Sequence, residues 1–408
     1  MPSHFGWVDF SEDDRQKMMD VVHLFSEREA RDEMGIGTVR DAFAEFFFPG
    51  TSTIQTRAKY FLFIPWVYKA LEEKKIPSSR IAVEARKGEV KLIDALLASG
   101  DRDGLIGQDR RDQLLRLPSV IYWAGLRSWR IQCYPDSRDQ YHRSLDFIYR
   151  KRRDNLKGED GEPVSDGHLQ TWHLGLPEPP EGFPEAASMA LTANESRYLQ
   201  ERIVTSHPNT LLSRLVLWDQ AVDCAFPWEH PIAPSLPAQL QSVLTHARNF
   251  SEVIYGASLL YNLLLARALP HEEWEADYDA ALGDWANAIE SRGFELRQWY
   301  AEKERFWACP ALRNARIPER TRSFVDEWLG LALGKSPASS VSSSDAAAGL
   351  IKAREYMLKH ERARLHNRRA LDRWGGSAGA FRQDYRWANV KVILKDILDG
   401  LAGGEVGA

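Results

Sequence analysis

An uncharged stretch of nine residues, 60–68, constrains the fold of this chain more than any other segment. Five of the nine are aromatic, and the stretch has about half of the roughly 20 apolar residues that a transmembrane helix needs. We therefore predict that it is buried in a protein core and does not span a membrane. Pro65 lies in its middle and cannot donate a helical hydrogen bond, which predicts a kinked helix or two consecutive helices.

A polar segment comes immediately before this stretch. It is suited to bind a phosphate or the carboxylates of a partner, because it combines hydroxyl, amide and cationic side chains. Its members are Thr53, Gln55, Thr56, Arg57 and Lys59.

Most of the chain has the residue spacing of helices. Residues 249–269 are apolar on nearly all sides, which predicts a central buried helix. Thr192 and Glu195 form the pattern of a capping box at a helix start. The predicted fold class is therefore mainly α, a multi-segment helical protein.

Two shorter patterns qualify this fold class. Residues 79–93 predict a small β-hairpin with Gly88 at its turn. Pro118 can begin a helix that follows another at 109–117, and this gives a helix-turn-helix-like element near 109–130, which packing alone would also explain.

Composition changes along the 408 residues predict five segments. They are an N-terminal helical domain (1–153), an acidic Gly/Pro-rich linker or surface excursion (154–186), a central helical core (187–333), a Ser-rich connector (334–349) and a basic C-terminal helical segment (350–408).

The compartment and cofactors are predicted from what the sequence lacks. Its start has neither the basic residues nor the apolar run of a signal peptide, and Cys133, Cys224 and Cys309 lie far apart in no metal-binding pattern. We expect a cytoplasmic protein with no cofactor and no metal.

Catalytic motifs give little support for an enzyme. The nearest candidate is Glu84, Glu89 and Lys91, which resemble a carboxylate–carboxylate–lysine set that binds Mg²⁺ in some nucleases. Strings of this kind also occur by chance on charged surfaces. A divergent metal-dependent nuclease is therefore the weakest of the functional hypotheses, and the chain is predicted to have no catalytic residues.

Charge is distributed in blocks although the net charge is only −5. Residues 102–153 carry twelve Arg or Lys against six acids, and residues 351–395 carry twelve against four. Residues 1–50 and 154–200 are acidic. Blocks of this size attract partners of opposite charge.

The basic blocks interleave arginine with aromatic residues, a composition that suits phosphate binding and base stacking. The alternative is that these arginines pair with the acidic blocks inside the fold. The predicted DNA-binding residues are Arg57, Lys59, Arg127, Arg130, Arg150, Arg152, Arg153, Arg364, Arg368, Arg369, Arg373 and Arg386.

Several strings, in this order, resemble one bacterial family. They are FGWVDFS, FFPGTSTIQTRAKYFLFIPWVY, LLRLPSVIYWAGLRSW, LTANESRYLQERI, NFSEVIYGASLLYNLLLAR and RARLHNRRALDRWGGSAG. The chain is similar over essentially its whole length to domain-of-unknown-function family 6361. That family has no established catalytic residues to transfer to this sequence.

The resemblance implies a role in anti-phage defence, since members are encoded in such loci near helicases and phospholipase-D-like nucleases. We therefore expect a non-enzymatic accessory subunit that binds DNA and partners one of these enzymes. The alternative is a protein–protein adaptor whose arginines are structural.

Overall fold

A computed structural model describes residues 32–108, 114, 116–155, 170–269 and 272–405. These residues form α-helices, four 3-10 turns and irregular connections, so the mainly α prediction is confirmed. The helices are α1 Gly37–Phe47, α2 Tyr60–Glu73, α3 Ile81–Ser99, α4 Pro118–Ser128, α5 Arg138–Asn155, α6 Ala193–Ser206, α7 Leu211–Leu215, α8 Ala238–Ala268, α9 Glu272–Ser291, α10 Gly293–Ala301, α11 Lys303–Trp307, α12 Glu319–Leu333, α13 Asp345–Lys359, α14 Arg368–Leu371 and α15 Trp387–Glu405.

The chain divides into two compact units. One contains the described residues of Met1–Phe43 together with Ser242–Gln383, and the other contains Ala44–Gln241 together with Asp384–Ala408. We call them unit 1 and unit 2. These boundaries differ from the five segments suggested by composition, because both units join residues that are far apart in sequence.

Helix α2 is the centre of the core of unit 2. Each side chain from residue 60 to residue 68 is buried, as the uncharged stretch predicts. The ring of Phe61 stacks on Trp129 with centroids 3.9 Å apart. The hydroxyl of Tyr122 accepts hydrogen bonds from the backbone N–H groups of Thr56 and Arg57, which fixes the turn that precedes the helix.

Pro65 lies inside this one helix, so of the two predicted alternatives the structure excludes two consecutive helices. The start of α4 at Pro118 agrees with the prediction for that proline. The preceding helix predicted at 109–117 falls largely outside the described residues, and Arg116 and Leu117 are not helical.

The predicted β-hairpin at 79–93 is also wrong. Those residues lie in α3, and Gly88 is in the middle of the helix. The buried positions Ile81, Ala85, Leu92 and Leu96 are one or two helical turns apart, as expected for one face of a helix. Among the described residues, the β pairing is an isolated antiparallel bridge between Gln132 and Trp172.

The described part of the predicted linker packs on α2. Trp66 donates its indole N–H to the carbonyl of Pro177 at 2.6 Å, and the ring of Phe183 stacks on Phe63 with centroids 6.0 Å apart.

Further along unit 2, α6 begins with the predicted capping box, in which Thr192 and Glu195 each accept a backbone N–H of the other.

Unit 1 is built around the part of α8 between residues 249 and 268. Phe250, Val253, Leu260 and Leu263 are fully buried, which confirms the predicted central helix. Trp328 donates its indole N–H to the carbonyl of Val253 at 2.9 Å. In the described part of the chain, no helix has both the length and the apolar character required to cross a bilayer.

Candidate nucleic-acid interface

The predicted DNA-binding residues fall into two groups, and the first group is paired within the protein. Arg57 precedes α2, and its Nε lies 3.0 Å from the carboxylate of Asp396 on α15. Its Nη1 lies 3.3 Å from Asp103. Burial acts to lower the pKa of the Arg57 guanidinium, but the hydrogen bond and charge of Asp396 outweigh this effect, so that the pKa is raised.

Lys59 is buried beside α6. Its Nζ lies 2.6 Å from Oε2 of Glu195 and 2.8 Å from the carbonyl of Ala190. Burial lowers the pKa of the Lys59 ammonium, and Glu195 opposes that shift. The polar segment before α2 therefore meets carboxylates of its own chain.

Arg152 likewise forms an ion pair with a buried carboxylate. Its Nη1 lies 2.7 Å from Oε2 of Glu72. The same carboxylate accepts hydrogen bonds from the hydroxyl of Thr171 at 2.8 Å and the indole of Trp172 at 2.9 Å, so that it is well satisfied.

Arg386 closes the turn before α15. It donates to the carbonyl of Thr51 at 2.7 Å and lies 3.3 Å from Glu45. Its φ of +73° is in the left-handed region that side chains other than glycine rarely adopt. These contacts hold the backbone in that conformation, which indicates a structural role.

In unit 1, Arg364 belongs to a buried charged cluster. Its Nη1 lies 2.9 Å from Oε2 of Glu33 and 3.0 Å from the hydroxyl of Tyr261. Lys359 also pairs with Glu33, and Tyr261 also donates to Glu355 at 2.5 Å. Two acids and two bases thus neutralise each other within the cluster.

The second group of predicted residues is exposed. Arg130 makes no ion pair with a described residue, and Arg127 donates to the carbonyl of Pro135. Arg368 pairs with Asp372 at 2.9 Å on the surface. The others in this group are Arg150, Arg153, Arg369 and Arg373.

Helix α5 carries several exposed cations in unit 2. Arg143, Phe147, Arg150 and Lys151 are exposed and stand at positions i, i+4, i+7 and i+8, which places them on one face. The ring of Phe147 is 53% exposed, and Nζ of Lys151 lies 6.0 Å from its centroid. We call these four residues the α5 face.

No carboxylate from the described residues forms an ion pair with the cations of the α5 face, although Arg150 adds to the hydrogen bonds of Ser78 in lowering the pKa of Asp146. Arg150 uses its Nε for the carbonyl of Asp146, one turn earlier at 3.3 Å. Asp146 itself accepts two hydrogen bonds from Ser78, one of them from the backbone N–H at 3.1 Å. Of the α5 face, the sequence prediction included Arg150 and missed Arg143, Phe147 and Lys151, although their helical spacing was a usable signal.

The nuclease-like residues do not form a common site. Glu89 is fully buried in unit 2 and accepts the backbone N–H of Ser119 at 2.8 Å, and burial raises its pKa to about 7. Glu84 pairs on the surface with Arg80 and Lys87, and Lys91 pairs with Glu185 at 2.6 Å. Among the described residues, no three His, Cys, Asp or Glu side chains are grouped to hold a metal.

Comparison with known proteins places the chain in a family. Residues 2–401 match the model of a family of unknown function, DUF6361. The chain belongs to this family. No curated protein and no solved structure matches it. Membership of DUF6361 therefore agrees with the resemblance of the sequence strings but adds no catalytic or binding residue to those described above.

Proposed function

We propose that this chain is a non-enzymatic, DNA-binding accessory subunit of a bacterial anti-phage defence complex. It acts in the cytoplasm and partners a helicase or a phospholipase-D-like nuclease. The genomic setting rests on the family resemblance, and the DNA contact rests on the α5 face.

The observation that carries the DNA contact is a set of exposed cations without carboxylate partners among the described residues. Arg143, Arg150 and Lys151 stand on the same side of one helix and flank an exposed aromatic ring. Guanidinium groups bind phosphate oxygens in a bidentate manner, and an exposed aromatic ring contacts bases or sugars.

Electrostatics favours a polyanion as the ligand of this face. A salt bridge with another protein's carboxylates is weakened by screening, whereas DNA also releases condensed counterions when cations replace them. Each phosphate contact on duplex DNA changes the slope of log K against log salt by about −0.9, and on single strands by about −0.7.

The test compares two variants with the same change in charge. In the first, Arg143, Arg150 and Lys151 become Gln. In the control, Arg80, Lys87 and Lys91 become Gln, because these cations lie on α3 of the same unit and each pairs with a surface carboxylate.

Fluorescence anisotropy would measure binding to short single- and double-stranded DNA at several salt concentrations. We expect the α5 variant to bind DNA about tenfold or more weakly than the wild type at low salt. The slope of log K against log salt should become less steep by about two to three. The control should bind as the wild type. Equal losses in both variants, or wild-type protein that does not bind at low salt, would refute the DNA contact.

A second candidate is a protein–protein adaptor, and the internal pairing of the first group of arginines favours it. Arg57, Arg152, Arg364 and Arg386 all contact carboxylates of this chain, as the structural alternative requires. This candidate predicts no salt-sensitive DNA binding and retention of the helicase or nuclease by the tagged chain at moderate salt. Loss of that retention after nuclease treatment of the sample would instead favour DNA as the bridge.

A further inference from the structure

A second feature of unit 2 lies between the end of α4 and the start of α5. It is a cavity of about 560 Å³, within the usual range of roughly 300–1,000 Å³ for small-molecule sites. Arg127, Arg130, Gln132 and Tyr134 line it. We call it the Gln132 cavity.

The backbone around the Gln132 cavity is fixed by local contacts. The extended segment after α4 pairs with residues 171–173, because Cys133 donates to the carbonyl of Thr171 at 2.8 Å and His173 donates to that of Ile131 at 2.8 Å. Arg130 has a φ of +54°, an unfavourable conformation for a residue with a long side chain. Backbone strain of this kind clusters at binding sites and switch regions.

Gln132 is a buried residue in the wall of this cavity. The residue is 3% exposed, and neither Oε1 nor Nε2 has a hydrogen-bond partner among the described residues. A buried amide without partners is costly, so a ligand that satisfies it gains the corresponding free energy on binding.

Further orphaned polar atoms lie on α6. Arg202 uses Nη2 for Glu201 at 2.9 Å, but its buried Nε has no partner within the described part of the chain, and the same holds for the hydroxyl of Tyr198. Burial raises the pKa of the Cys133 thiol, and the positive charge of Arg202 opposes that rise.

We propose that the Gln132 cavity receives one unpaired nucleotide of a DNA strand, with the phosphate on Arg127 and Arg130 and the base edge on the amide of Gln132. An amide donor and acceptor can pair with a base edge, and that edge is accessible in full only when the base is unpaired. The ring of Tyr134 provides an aromatic surface for the base.

Entry of the base requires a side chain to move, because the amide atoms of Gln132 have almost no exposed surface. Arg130 is free to do so, since it is exposed and makes no ion pair with a described residue. This inference rests on the proposed DNA binding, and it adds to it a preference for single strands.

The decisive variant is Gln132→Leu. It removes a buried amide that has no partners, so the fold should be kept or stabilised. The matched control is Gln383→Leu in unit 1, where a buried glutamine also has an unpartnered Oε1 but lies outside the cavity. Thermal unfolding of both variants checks the fold.

Anisotropy would be measured with a single strand, the same strand with one central abasic position, and the duplex. We expect Gln132→Leu to weaken single-strand binding about tenfold, the abasic strand to weaken wild-type binding by a similar factor, and duplex binding to be unchanged. Gln383→Leu should match the wild type in every arm.

The outcomes separate this inference from the proposed function. If Gln132→Leu binds single strands like the wild type while the α5 variant loses binding, the cavity is not a nucleotide site and the DNA-binding function stands. If the wild type binds a deoxynucleoside monophosphate but no strand, the nucleotide site stands without the DNA function. Absence of binding in every arm overturns both.

Discussion

Nη1 of Arg364 lies 2.9 Å from Oε2 of Glu33, although 331 positions separate them in the sequence. The side chain of Glu33 is 3% exposed, so that the pair is largely withdrawn from solvent. An arginine in the most basic block of the chain therefore neutralises an acid from the N-terminal acidic block. Its role is to hold unit 1 together.

Replacement of Arg364 by Gln should destabilise the protein. The change leaves the buried Glu33 with Lys359 as its remaining cation, and we expect a loss of about 2–3 kcal/mol in the free energy of unfolding. Chemical denaturation monitored by tryptophan fluorescence measures this loss. Arg369→Gln, on an exposed arginine in the same block, should stay within about 0.5 kcal/mol of the wild type. Equal stabilities for the two variants would contradict the structural role of Arg364.

Glu89→Gln should change how stability depends on pH. Because burial raises the pKa of Glu89 to about 7 from its usual value of about 4.5, folding favours the protonated carboxyl. The stabilisation from the protonated Glu89 is fully present below a pH of about 4.5 and is lost as the pH rises through about 7. Gln stays neutral at every pH. The free energy of unfolding of the variant, relative to that of the wild type, should therefore rise by about 3 kcal/mol between a pH of about 4.5 and a pH of about 7.

Unfolding midpoints in denaturant at pH 4.5, 6 and 8 would test this prediction. Glu84→Gln is the control, because hydrogen bonds from Lys87 and Arg80 to its half-buried carboxylate lower its pKa. Glu84→Gln should show no gain in stability over the wild type at high pH. A difference between Glu89→Gln and the wild type that does not vary with pH would contradict the raised pKa of Glu89.

The same substitution, Gly→Ala, should have opposite effects at two helical positions of unit 1. A Cβ on Gly256 would stand 2.3 Å from Cζ2 of Trp285, a ring that is itself fixed by a 2.9 Å hydrogen bond to the carbonyl of Glu252. Gly256→Ala should therefore cost about 1–3 kcal/mol. A Cβ on Gly283 meets nothing within 4 Å, and Gly283→Ala should gain about 0.5–1 kcal/mol.

Thermal unfolding of both variants measures the difference. Opposite shifts of the midpoint would support the close approach of α8 and Trp285. If Gly256→Ala raised the midpoint as Gly283→Ala should, the packing described for α8 would be wrong.

Replacement of Arg368, Arg369 and Arg373 by Ala should weaken DNA binding without unfolding the protein. All three side chains are exposed, and the surface pair of Arg368 with Asp372 contributes little to stability. Anisotropy at two salt concentrations measures the loss of affinity, and circular dichroism checks the fold. A collapse of folding would instead show that these arginines are structural, as Arg364 is.

The sequence alone predicted the local features of this protein. Residues 60–68 had to be buried because nine uncharged, largely aromatic residues are too few to span a bilayer and too apolar to face water. The capping box at Thr192 and the helix start at Pro118 depend on residues within one turn. The hairpin predicted at 79–93 is wrong because Gly88 lies in the middle of α3 and not at a turn.

Tertiary structure decided which arginines are available to a ligand. Arg57 and Asp396, or Arg364 and Glu33, are neighbours only after folding, and no periodicity links residues that are hundreds of positions apart. Arg143, Arg150 and Lys151 belong to the same kind of basic block, yet they face solvent on α5. Charge composition fixes how many cations a chain has, whereas the pairing of each cation depends on contacts that packing alone creates.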